Sequence, residues 1–260
     1  MTKEEQKSQM LSEEARIHEE IRKLYPNGTG LDGIIDIDCY LGLKEPISTN
    51  PLKILWILKE RGYPTNKPNM DFSVKDCMLG LADYNDWKRT YGNMCYVTEG
   101  ILEWQRLKDD KYLDYKNLPE LKVEKPHNGV YYENPQQFFP LDYTAFLNVK
   151  KLGSHGKTSE QSEINAEYAK PEVQKILKEQ FAYINPDIVI FGNHVIKLTE
   201  DFSGVPLSDF HESGKCKYFY DEKRNKLFID ADHPNARYTE AEYCNSIFNA
   251  IKQNAKELIK

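Results

Sequence analysis

Long apolar runs are missing from this chain. None approaches the roughly 20 residues needed to cross a bilayer. The opening segment, MTKEEQKSQMLSEEARIHEE, is charged and lacks the apolar stretch of a signal peptide. Cysteine is scarce: the five residues, at 39, 77, 95, 216 and 244, form no CxxC pair and no spacing of a zinc or redox centre. A reduced cytoplasmic setting is therefore expected, with most thiols acting as small buried hydrophobes and with no metal or membrane partner. Positive charge is not in excess either. A formal net charge of -6 argues against coating nucleic acid by bulk electrostatics, while leaving room for a local basic groove. Internal repeats, low-complexity tracts and an evident linker are also absent.

What is present suits one α/β domain over residues 1–260, since 260 residues with 40% hydrophobic and 29% charged side chains can bury a full core. Residues 1–50 read as an N-terminal helical extension. Within it Met10, Ala15, Ile17, Ile21 and Leu24 are apolar at helical spacing over 4–25, and Tyr25-Pro26-Asn27-Gly28 closes the helix. Gly28 to Gly33 spells GxGxxG. A dinucleotide fingerprint needs a strand before it and a helix after it; here a helix precedes and the strand-like Ile34–Ile37 follows, so the segment reads as a turn.

Four runs, Ile54–Leu58, Ala145–Val149, Ile188–Phe191 and Leu227–Asp230, are nearly continuously apolar, as in strands buried on both faces of a parallel sheet. A helix is expected from Pro171 to Ile184, with proline in its first turn. Another runs from Thr239 to Ile259, opened by the capping-box pattern Thr239-Glu240-Ala241-Glu242. Cys216–Tyr220 and Lys226–Asp230 flank a turn and read as a hairpin, which makes one sheet edge antiparallel. An insertion at about 75–140 is expected to be helical from Val74 to Arg106 and then a surface loop from Lys108 to Gln137.

In open α/β sheets ligands collect beyond the carboxyl ends of the strands, and here each strand end is polar. The first leads into Lys59-Glu60-Arg61-Gly62-Tyr63, and the second into Asn148-Val149-Lys150-Lys151 and Ser154-His155-Gly156-Lys157. The third leads into Gly192-Asn193-His194, and the fourth into Asp232-His233-Pro234-Asn235-Ala236-Arg237. One such end would mean little; four suggest a convergent site.

The set resembles the uracil-DNA glycosylase superfamily over roughly residues 52–258, with no counterpart for 75–140. The most specific piece is the last strand followed by His233-Pro234-Asn235, where familiar members carry His-Pro-Ser. Phe146–Lys151 looks like the strand whose terminal Asn, here Asn148, reads the Watson–Crick edge of a flipped base. Leu58–Gly62 is similar to the water-activating loop, keeping a carboxylate in Glu60 and a tyrosine in Tyr63, with Arg61 where some members have the catalytic Asp. By the same resemblance, Phe72-Ser73-Val74 would supply the aromatic that stacks on the base. The cysteines of the iron–sulfur branch are missing, so no cofactor is expected.

The resemblance implies a three-layer α/β sandwich with a central, mostly parallel sheet and N-glycosidic hydrolysis of a damaged or deaminated base in DNA. It implies Glu60, Asn148 and His233 as catalytic residues and Tyr63, Phe72, Asn193 and Asn235 as base-binding. Lys150, Lys151, His155, Lys157 and Arg237 would grip phosphates. Ordinary explanations compete at each position. Glu60 could sit in a solvated ion-pair turn, Asn148 could satisfy backbone at a strand end, Phe72 could be core, and His194 could be an unremarked residue near a helix start. Two other functions remain open: a fold of this kind that binds a base or nucleotide without turnover, and an α/β enzyme acting on a small polar metabolite.

Overall fold

The apolar runs become the interior of a seven-stranded mixed sheet. The structure, a computed structural model, describes residues 1–26, 30–44, 50–60, 62–63, 72–73, 88–122, 131–132, 140–152, 154–155 and 159–258. At 62–63, 72–73, 88–89, 121–122, 131–132 and 154–155 it describes the backbone alone. The strands are β1 (Gly33–Ile34), β2 (Ile54–Leu58), β3 (Thr144–Asn148), β4 (Ile188–Gly192), β5 (His211–Ser213), β6 (Cys216–Asp221) and β7 (Lys226–Ala231). Their order across the sheet is β5-β6-β7-β4-β2-β3-β1. The four central strands, β7, β4, β2 and β3, run parallel. The short β1 and the β6–β7 hairpin add antiparallel partners, so both sides of the sheet depart from the parallel pattern.

Every residue of β2, β3 and β4 is buried, because helices cover both faces. They are α1 (Lys3–Leu24), α2 (Lys88–Leu107), α3 (Gln161–Tyr168), α4 (Pro171–Ile184), α5 (Ile196–Ser203) and α6 (Glu240–Gln253). Strand alternation divides the core. Ile54, Trp56 and Leu58 pack with Met94, Val97 and Ile101 of α2 and with Ile247, Phe248 and Ile251 of α6. Leu55 and Ile57 face Ile17 and Ile21 of α1, Ile176 and Leu177 of α4, and Phe202 of α5.

The local signals act as their chemistry dictates. Thr2 and Glu5 cap α1 reciprocally, as Thr239 and Glu242 cap α6. Pro171 opens α4, and Asn185 closes it in the left-handed region at φ 45°. Three expectations need revision. Ile34–Ile37 is not one strand, because the Asp36 carboxylate accepts from the N–H groups of Asp38 and Cys39 and starts a helical turn at Ile37. The last helix does not run unbroken to Ile259, since it stops at Gln253 and one further turn covers Ala255–Leu258. Within Lys108–Gln137, two 3-10 turns capped by Asp109 and Asp114 pack onto α2 and α6 and bury Leu113. The expected helix over 74–87 and Cys77 lie outside the described residues. The other four cysteines are buried free thiols, and no described helix is long and apolar enough to cross a membrane.

Candidate functional site

Chain order and strand order together locate the site. From β2 the chain moves to β3 on one side, and the later strands β4 and β7 lie on the other. The sheet therefore has a switch point between β2 and β4, beyond whose carboxyl ends a ligand crevice is expected. Leu58, the last residue of β2, is level with Asn148 on β3 and Gly192 on β4. Adjacent strands are about 4.8 Å apart, so the four ends span about 14 Å. Three groups of polar side chains occupy this edge.

The first group joins the ends of β2 and β3. Glu60, its side chain 3% exposed, accepts from both the backbone N–H and the hydroxyl of Ser159 and lies 3.3 Å from the Lys150 ammonium. Lys150 in turn donates to the Ser159 hydroxyl at 2.6 Å. Glu60 is thus not in a solvated turn, and the Lys150 ammonium is directed at Glu60 and Ser159.

A second group lies beneath Asn148. The Asp32 carboxylate accepts the Asn148 N–H at 2.5 Å, Lys151 Nζ at 2.8 Å on each oxygen, and Gln180 Nε2 at 2.8 Å. Lys151 is 1% exposed, and burial pulls its pKa down against the opposing pull of Asp32. The expected phosphate contact at Lys151 gives way to a buried ion pair. Lys150 and Lys151 thus each meet a carboxylate, Glu60 and Asp32 respectively.

The third group stands at the ends of β4 and β7. His233 Nδ1 accepts the N–H of Asn235 at 3.1 Å. Burial, then the nearby Lys59 ammonium and His194, push its pKa down to about 4. At neutral pH the imidazole is uncharged, its Nδ1 is occupied, and its proton sits on Nε2, where no acceptor meets it among the described residues. The loop is fixed from behind: the Pro234 carbonyl accepts from Asn93 Nδ2 of α2 at 2.6 Å. Gly192 permits this approach, since a Cβ there would lie 3.1 Å from both Pro234 Cδ and Leu58 Cδ2. His194 Nε2 lies 3.3 Å from Asp232 Oδ1, and the Tyr238 hydroxyl donates to Asp232.

Asn193, expected to touch substrate, is completely buried and committed to backbone. Its Nδ2 donates to the Ile57 carbonyl at 3.1 Å, and its Oδ1 accepts the Val195 N–H at 2.7 Å. Asn235 and Arg237 are exposed on the loop after β7. The backbone of Tyr63 pairs with that of His155, tying the loop after β2 to the loop after β3. The backbone of Phe72 runs beside Gly30, two positions from Asp32. The side chains of Tyr63, Phe72 and His155, and Lys157 entirely, lie outside the described residues.

Asp32, Asn93 and Ser159 escaped the sequence reading as site residues. His194 and Asp232 stood among the polar strand ends but were given no role there. No protein-family model matches this sequence, and no curated protein matches it.

Proposed function

We propose that the chain is a three-layer α/β sandwich of the uracil-DNA glycosylase kind that hydrolyses the N-glycosidic bond of a deaminated or damaged base in DNA. One observation carries this reading: the uncharged His233, whose occupied Nδ1 leaves Nε2–H as a fixed donor at the end of β7. A base leaves a sugar as an anion, and a preorganised neutral donor aimed at its carbonyl oxygen stabilises that charge as it develops. At a pKa of about 4 this imidazole is neutral at pH 7 and keeps the one N–H that it donates.

The remaining geometry supports the same reading. β2 and β7 are separated by β4 alone, so their ends stand about 10 Å apart, room for a base held at His233 with its sugar near Glu60. Asn148 supplies a donor–acceptor amide on the far side, and Arg237 an exposed cation for a phosphate.

The test is single-turnover release of base from uracil-containing single- and double-stranded oligonucleotides at low salt, where phosphate-driven binding is strongest. Abasic product is expected from the wild type, reduced by about 10²–10³-fold in His233→Ala, the scale of losing one oxyanion donor. A second reading, binding of a base or nucleotide without turnover, is favoured by the occupied oxygens of Glu60. It predicts equal retention of the oligonucleotide by wild type and Glu60→Gln with no product from either.

A further inference from the structure

Water activation needs a basic lone pair within reach of the water, and Glu60 already spends both oxygens on Ser159 and Lys150. The adjacent strand end carries another base. His194 adopts φ 57°, a left-handed conformation that a non-glycine residue keeps only where its surroundings enforce it. Here they do. Asn193 is pinned to β2 and to the start of α5 by both ends of its amide. From α3, Gln161 Nε2 donates to the carbonyls of Asn193 and His194 at 3.3 Å and 3.1 Å. This backbone carries the imidazole to Asp232, with Nε2 3.3 Å from Oδ1, in the loose range of unliganded sites. Asp232 is itself held by the Tyr238 hydroxyl. The charged and titratable groups facing His194 are Asp232, Lys59 and His233. The His194 side chain is 41% exposed, and its partial burial, opposed by Asp232 and aided by Lys59, lowers its pKa from 6.5.

We infer that His194 is the water-activating base, with Asp232 as its positioning residue; this rests on the glycosidic reading above. With Nε2 turned to Asp232, Nδ1 is the basic nitrogen. It takes a proton from water as the water oxygen bonds to the sugar C1′. The C1′–N bond breaks, and its electron pair leaves with the base, whose anion is held by His233 Nε2–H. The imidazolium of His194 then protonates that anion, which restores both partners.

The test follows single-turnover base release from a uracil-containing single-stranded oligonucleotide across the acid to neutral range, with melting temperatures measured in parallel. The wild-type rate should be level at neutral pH and fall on an acid limb below 6.5 as His194 protonates. His194→Gly should melt no lower than wild type, because glycine relieves the left-handed backbone. It should nonetheless lose about 10²–10⁴-fold in rate, the usual worth of a general base, lose the acid limb, and regain rate with added imidazole. Asp232→Asn should move the limb and lower the rate by less. A fully active His194→Gly with an unchanged acid limb would overturn the assignment and leave the glycosidic reading standing. No base released by wild type from oligonucleotides carrying uracil, hypoxanthine or an alkylated base would overturn both.

Discussion

Asp32 shows how much a single side chain can be asked to hold. It is 4% exposed, and its carboxylate receives an ammonium, an amide and a backbone N–H. Removing it strands the Lys151 ammonium in the interior. Asp32→Ala should therefore cost about 3–5 kcal/mol in urea unfolding, whereas replacing Asp32 and Lys151 together by apolar residues should cost far less. This pair was illegible in the sequence because its members are 119 positions apart, and a Lys-Lys sequence after a strand reads as surface. The His233-Pro234 segment was legible because its chemistry is local, with the Asn235 N–H reaching back two residues to the ring.

Two half-buried groups near the site titrate in opposite senses. His233 takes its proton near 6.5 when unfolded and near 4 when folded, so its contribution is complete above 6.5 and is lost as pH falls through that window. Asp230, raised to about 6 from 3.8 by burial and then by Asp232, favours the folded state below 3.8 and loses that contribution as pH rises through 6. Between these limits the two partly offset. Asp230→Asn should be more stable than wild type at neutral pH and lose stability more steeply on acidification, measured by urea midpoints across the range.

Among the elements, the central strands were the easiest to read and the edges the hardest. β2, β3 and β4 are apolar on both sides because both sides are covered, which leaves a pattern that needs no partner to recognise. β1 is two residues long, and its place depends on Asp36 starting a helical turn directly after it. Helix contacts were equally hidden. Gly100 lies in the middle of α2, where alanine normally favours a helix. A Cβ there would meet Phe248 at 2.5 Å and the Tyr112 backbone carbonyl at 2.8 Å. Gly100→Ala should thus destabilise, by about 1–3 kcal/mol, and a higher thermal midpoint would contradict the close packing of α2 on α6.

For the whole molecule, α1 is part of one core rather than an appendage to it. Ile17 and Ile21 are 1% and 0% exposed, and Arg16 and Lys175 join α1 to α4 through Glu179 and Glu20. Those surface pairs are each worth under about 1 kcal/mol. The buried isoleucines, with Met10 beside them, are worth about 1.5–3 kcal/mol apiece, a sum comparable to the net stability of a domain. Deleting residues 1–24 should abolish cooperative unfolding, and a truncated chain with a wild-type urea midpoint would refute this. The sequence showed the helix but not its role, since periodicity reveals that a face is apolar and not what it meets.

The placement of β2 also bears on how the chain is made. Ile54 pairs with Thr144 on one side and Ile188 on the other, so this central strand leaves the ribosome long before either neighbour exists. Ile54-Leu55-Trp56-Ile57-Leu58 is then an uncharged, aggregation-prone ribbon awaiting partners. Lys53 on one flank and Lys59 with Glu60 on the other are gatekeepers against premature association. The charged residues at the mouth of the crevice thereby also chaperone the nascent strand that carries them.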